Sequence, residues 1–252
     1  MTLTLCTMVL ADAPAPGTAY ARAHLADALI ERAELEEADR VLADPHPRER
    51  VNENPFYRFS RGSHRLVKGD AGAALEDLLV CGRVLARRGG VDTPTMIPWR
   101  SRAADALLQL NDRRRARDLA EEELALAVTG GVDGAIEQAQ IIVGLVESGD
   151  PGLERLHAAI DILEDSPRLL TRIRALIELG AMVRRTGQPR QAREPLRAVL
   201  DLAHHHGATA LEQRARENSS SPAGGPAGQP PPVSYSRLSW ILGERPPCCG
   251  AS

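Results

Sequence analysis

The sequence predicts an all-α protein, an α-solenoid of about five helical hairpins followed by a disordered tail. Three observations carry that reading. Ala, Leu, Arg and Glu dominate the 252 residues while aromatic residues make up only 3%, a balance that favours helix over sheet on intrinsic propensity. One pattern recurs five times: an apolar helix, a turn, then a small residue opening a second helix. Beyond residue 217 the composition shifts to Pro, Gly and Ser with no helical period, which predicts a disordered segment over 218–252.

The five copies read, in order, LADALIERAELEEADRVL, GSHRLVKGDAGAALEDLL, AADALLQLNDRRRARDLA, IIVGLVESGDPGLERLHAAI and GAMVRRTGQPRQAREPLRAVL. Four of them set Ala38, Ala74, Ala116 and Ala192 five residues beyond the turn residues Ala33, Gly69, Asn111 and Gly187. The fourth copy, around Gly149, is out of register by about one residue. The alanines recur at close to the tetratricopeptide period of roughly 34 residues, with slack in the linkers. Small residues belong at such crossings because hairpin helices approach closely only where side chains are short. A lone hairpin exposes an apolar stripe, so stacked neighbours must supply the core. Leu25, Leu29, Leu107, Leu176, Leu179, Val183 and Leu196 recur at helical spacing and are expected in that core.

Composition also sets the boundaries. Residues 1–17 read as a fragment of a preceding element, 18–217 as the helical repeat domain and 218–252 as the tail. Turn-forming stretches at 43–55 and 87–98 link the first three hairpins. The apolar start lacks the basic flank of a signal peptide and is too short to span a bilayer. Four cysteines without C-x-x-C or zinc spacing fit a reducing cytoplasm. A net charge of -3 and a pI near 6.2 lack the electrostatic footprint of a phosphate-backbone binder. Neither nucleic acid nor membrane is an expected direct partner.

Candidate chemistry is sparse. His204, His205 and His206 end the last hairpin, but consecutive helical residues diverge by about 100°, so they cannot converge on one ion from a shared helix. Before Gly207 they read as a helix C-terminus, with imidazoles near the negative end of the dipole. Lys68 is the sole lysine and lacks the flanking glycines and hydroxyl of a P-loop. Ser63 beside His64 has neither a nucleophile elbow nor an orienting third group. The run Glu121, Glu122, Glu123 reads as a solvated helix face. In RRRAR at 113–117, Arg114 and Arg117 can pair with Asp118 and Glu121 at i, i+4, which predicts a surface role. No enzyme activity, metal or cofactor is expected.

Three stretches, NPFYRFSRGSHRLVKGDAGAALEDLLVCGRVL, IPWRSRAADALLQLNDRRRARDLAEEELALA and AIDILEDSPRLLTRIRALIELGAMVRRTGQPRQAREPLRAVLDLAHHHGATALEQRARE, carry a family resemblance. Residues 18–217 resemble the tetratricopeptide-like region of large LuxR-type, MalT-like bacterial transcriptional regulators. In that family the region lies between a P-loop ATPase and a helix-turn-helix domain. The resemblance implies a non-catalytic interaction or sensor module of a transcriptional regulator, and a chain without those flanks reads as a fragment, a decayed gene or a free-standing adaptor, truncation being favoured. Its partner would be a protein, a peptide or a small inducer; direct DNA-binding regulation is the alternative. Family register places Arg174, Arg184 and Arg185 of the last unit, with Asp105 and Gln109 of the third, on a concave ligand or partner groove.

Overall fold

The computed structural model describes residues 18–43, 54–87, 92–164, 168–186, 191–205, 211–213 and 215–216, and every regular element among them is helical. Five hairpins follow one another: α1 (Thr18–Glu31) with α2 (Leu35–Ala43), α3 (Pro55–Val67) with α4 (Ala71–Arg87), α5 (Trp99–Gln109) with α6 (Arg113–Gly130), α7 (Asp133–Glu147) with α8 (Gly149–Glu164), and α9 (Leu169–Arg185) with α10 (Arg193–His205). The N-terminal segment, the tail after residue 217, Gly187, His206 and Gly207 lie outside the described residues.

The first three turns close in the same way. Ala33, Gly69 and Asn111 adopt φ of 59°, 83° and 61°, and the next residue's N–H in each case donates to a carbonyl five residues back: Glu34 to Leu29, Asp70 to Arg65, Asp112 to Leu107. This left-handed closure satisfies carbonyls that the helix end leaves open. Gly and Asn reach it readily, whereas Ala33 adopts it at a cost of about 1 kcal/mol. The second helices then start with local support. Asp70 accepts from the Ala73 N–H, and Asp112 caps α6 by accepting from the Arg115 N–H. Asn54 does the same for α3, accepting from Phe56 and Tyr57 ahead of Pro55 in the first turn.

Small residues sit where the pattern requires them. Ala38, Ala74, Ala116 and Ala192 are all buried. Within the hairpins, Gly62 faces Leu78 and Gly180 faces Leu196, each leucine sixteen residues on. The fourth hairpin departs from this by more than the single residue expected. Its inner glycine, Gly144, faces Leu156, only twelve residues on, so this hairpin is shorter by about one helical turn. The chain turns through Ser148 and Gly149, both at positive φ, and Gly152 takes the crossing position against the Gly144 carbonyl.

The first helices of the hairpins form one layer, α1 on α3, α3 on α5, α5 on α7 and α7 on α9. Each second helix from α2 to α8 packs against the first helix of the next hairpin. That arrangement buries a continuous apolar core from Phe59 to Leu196. Leu25, Leu29, Leu107, Leu179, Val183 and Leu196 are buried as expected, and Leu176 is partly buried against a second cluster. That cluster closes the far end of the stack, where Leu211 and Ala215 cover Ile173, Ile177, Val199 and Ala203. No described helix is long and apolar enough to cross a membrane.

Two charge assignments change. The arginines at 113, 114, 115 and 117 are exposed, but the intrahelical partners are not those the spacing offered. Arg115 pairs back to the cap residue Asp112, and Arg113 reaches out to the Val146 carbonyl and Ser148 hydroxyl at the end of α7. The acidic run does not share one solvated face either. Glu121 and Glu122 are exposed while Glu123 is buried, because a helix clamped between two neighbours turns one residue in every such run inward.

Candidate functional site

The five residues placed on a groove by register divide into an inside and an outside group. Asp105 and Gln109 on α5 and Arg174 on α9 are buried, together with Arg102, Asp27 and Glu178 of the same helix layer. Arg174 is 3% exposed and its Nη2 donates to Glu31 Oε1 at 2.6 Å. Glu31 ends α1, so this bond joins the first hairpin to the fifth across the inner face. Asp105, Gln109 and Arg174 therefore present little surface to solvent. Arg184, half-buried, and Arg185, exposed, stand in the last turn of α9, where cations complement the negative end of the helix dipole. Only these two of the five meet solvent.

A second constellation escaped the register argument. Arg58, Arg61 and Arg65 follow i, i+3, i+7 spacing on one face of α3, and all three converge on Asp77 of α4, which is buried. Arg61 binds side-on through Nε and Nη2 at 2.8 and 2.6 Å, and Arg65 Nη1 donates at 2.7 Å. Burial pushes the Asp77 carboxyl up, yet the hydrogen bonds from Arg61 and Arg58 outweigh it and hold it below the usual carboxylate range. The helical spacing of the arginines was the available signal. Their acceptor lies in the partner helix, where spacing says nothing.

Beside this cluster, between α2 and α3, lies a cleft of about 290 Å³. Arg61, His64, Arg65 and Lys68 line one side and Asp39 the other, over a floor of Leu42 and Ala43. Asp39 bonds Lys68 Nζ at 2.6 Å and His64 Nε2 at 2.7 Å. The Lys68 and His64 bonds keep the Asp39 carboxyl below its ordinary range. His64 thus has the orienting carboxylate that the sequence did not reveal. Ser63 and His64 point from adjacent positions of α3, and no hydrogen bond links them.

The third hairpin holds a further buried group. Arg100 stacks 4.5 Å from the centroid of the Trp99 ring and grips Asp92 through two bonds of 2.9 and 2.6 Å. Its Nη1 lies 3.9 Å from Glu123, whose other oxygen accepts from Ser101 Oγ at 3.1 Å. Burial pushes the Glu123 carboxyl up to about 8, against the opposing pull of Arg100. Folded Glu123 therefore stays protonated through the range where the unfolded carboxyl ionises. Stability from this group is full below about 4.5 and declines as pH rises towards 8. Glu123→Gln keeps the Ser101 bond and cannot ionise, so thermal melts should show it gaining on the wild type between pH 5 and about 8.5. Parallel pH profiles for the two proteins would contradict the assignment.

His204 and His205 close α10, and His206 lies outside the described residues. No group of three metal-binding side chains forms among the described residues.

No protein-family model and no curated protein matches this chain. Among solved structures it is similar to a Podosopora anserina protein of kinesin light chain type with nearly identical TPR-like repeats. A point-substituted form of that protein gives a TM-score of 0.50 at 17% identity, over 76% of this chain and 97% of that one. The unsubstituted form gives 0.49 at 17% identity, over 77% and 99%. YrrB, a TPR protein with an unusual peptide-binding site, gives 0.40 at 16% identity, over 84% and 97%. The first of these shows the fold, a tetratricopeptide-like helical repeat.

Proposed function

We propose that this chain is a non-catalytic protein-interaction or sensor module, and that its setting is a LuxR-type, MalT-like transcriptional regulator. The setting is supported by the sequence resemblance over residues 18–217. The interaction role is supported chiefly by one observation: a helical stack presents the doublet Arg184–Arg185 in the last turn of an inner-layer helix whose polar residues Thr171, Arg174 and Glu178 are buried. Guanidinium groups offer paired donors to carboxylates, so the partner is an acidic peptide segment of another protein or an anionic inducer. Fold alone does not select this function; the surface chemistry supports it.

Direct DNA binding is the weaker reading, because the net charge of -3 opposes a polyanion even though the arginines of α6 are exposed. Calorimetric titration with acidic peptides should give binding that falls at least tenfold in the Arg184→Ala, Arg185→Ala double variant. Duplex DNA should be retained weakly and without sequence preference, and lost as salt rises. Peptide binding indifferent to both substitutions would remove Arg184 and Arg185 from the role. Tight retention of one duplex sequence would replace the reading altogether.

A further inference from the structure

We propose that the cleft between the first and second hairpins is a binding site for a phosphate-type oxyanion, with Arg65 and Lys68 as its donors and His64 Nδ1 as an acceptor for the anion's own hydroxyl. The site is distinct from the Arg184–Arg185 end and independent of its role.

Charge is the first argument. Arg61 and Arg65, which line the cleft, share the single buried carboxylate of Asp77, which leaves positive charge in excess on its wall. Asp39 balances only Lys68, and Asp70 on the rim is engaged with the Ala73 N–H at the start of α4. Preorganisation is the second. Asp77 fixes Arg61 and Arg65 from behind, so their ordering has already been met by the fold and an incoming anion need not supply it.

Donor capacity is the third. Arg65 uses only Nη1, towards Asp77 and the Ala73 carbonyl, so Nε and Nη2 retain their N–H groups. Lys68 uses one bond, to Asp39, of the three its ammonium can make. His64 is 4% exposed in its side chain, lines the cleft, and has a buried Nδ1 with no hydrogen-bond partner among the described residues. Nε2 donates to the Asp39 carboxylate, so Nδ1 is left as a buried acceptor that calls for a donor. Donors from an arginine and a lysine, with an imidazole nitrogen to accept from a P–O–H group, suit a hydrogen-bearing tetrahedral oxyanion better than a planar carboxylate. A cleft of about 290 Å³ takes a phosphate or a phosphorylated side chain, and is at the lower limit for larger ligands.

The test is calorimetric titration of the full chain at fixed ionic strength, using inorganic phosphate, a short phosphoserine peptide and the same peptide unphosphorylated. Saturable binding of a phosphorylated ligand is expected, weakened at least tenfold by Arg65→Gln and by Lys68→Gln and unchanged by Arg114→Gln, an exposed arginine of α6. Lys68 is nearly half exposed, so its variant should melt like the wild type and report on binding alone. A peptide that binds more tightly than free phosphate identifies a phosphorylated side chain as the source; equal affinity identifies the free anion. No saturation with either phosphorylated ligand, or dissociation constants within twofold across wild type, Arg65→Gln and Lys68→Gln, overturns the site.

Discussion

Gly152→Ala is expected to destabilise the protein by about 3 kcal/mol, the upper part of the range for forcing extra volume into a packed contact. A Cβ at this position would sit 2.5 Å from the Gly144 carbonyl oxygen, closer than real Cβ contacts come. The opposing atom is backbone, so no rotamer change relieves it; α7 and α8 must part. The strain would spread, because Met182 Sδ of α9 lies 3.3 Å from the same point. Gly72→Ala is the control. It lies exposed in α4 with nothing within 4 Å of the added carbon, and should be stabilising by about 0.5–1 kcal/mol. Urea unfolding of the two variants should move the midpoint in opposite directions.

Asp77→Asn should cost about 3 kcal/mol, at the lower edge of what removing one partner from a buried ion pair does. The lower edge applies because the arginines are partly exposed, with side-chain exposures of 16%, 21% and 35%, and can recover hydration. The pH dependence carries a definite sign. Since folding holds the Asp77 carboxyl below its ordinary range, its stabilisation is complete above about pH 4 and is lost as pH falls through the folded value. The asparagine variant should therefore be less stable than the wild type at neutral pH and converge on it in acid. A constant gap across that range would mean the cost is one of shape and not of charge.

The hairpins were legible because their determinants are local. Ala33, Gly69 and Asn111 were identified as turn residues from their place between apolar stripes, and each adopts the left-handed conformation that closes a helix. Ala38, Ala74 and Ala116 follow at buried positions of the second helices. Spacing failed where contacts skip between hairpins. The fourth hairpin keeps the Gly and Leu residue types but brings them four residues closer, a shift that alignment on the turn residue Gly149 alone understates. Glu123 looks like its exposed neighbours until α6 is placed against Ser101 and Arg100. Arg174 is the largest departure, because its partner Glu31 lies 143 residues away and no periodicity links them.

That last pair bears on the inner face of the stack. Arg174, Asp105 and Gln109 are buried there, so the proposed binding surfaces are the Arg184–Arg185 end and the cleft beside α3. The most direct measurement is a double-mutant cycle on Glu31→Gln and Arg174→Gln, read by urea unfolding. A closed inner face predicts a coupling energy of about 1–3 kcal/mol between the two sites. Effects that add to within about 0.5 kcal/mol would show that the first and fifth hairpins do not meet, and would return the inner face to the list of binding surfaces.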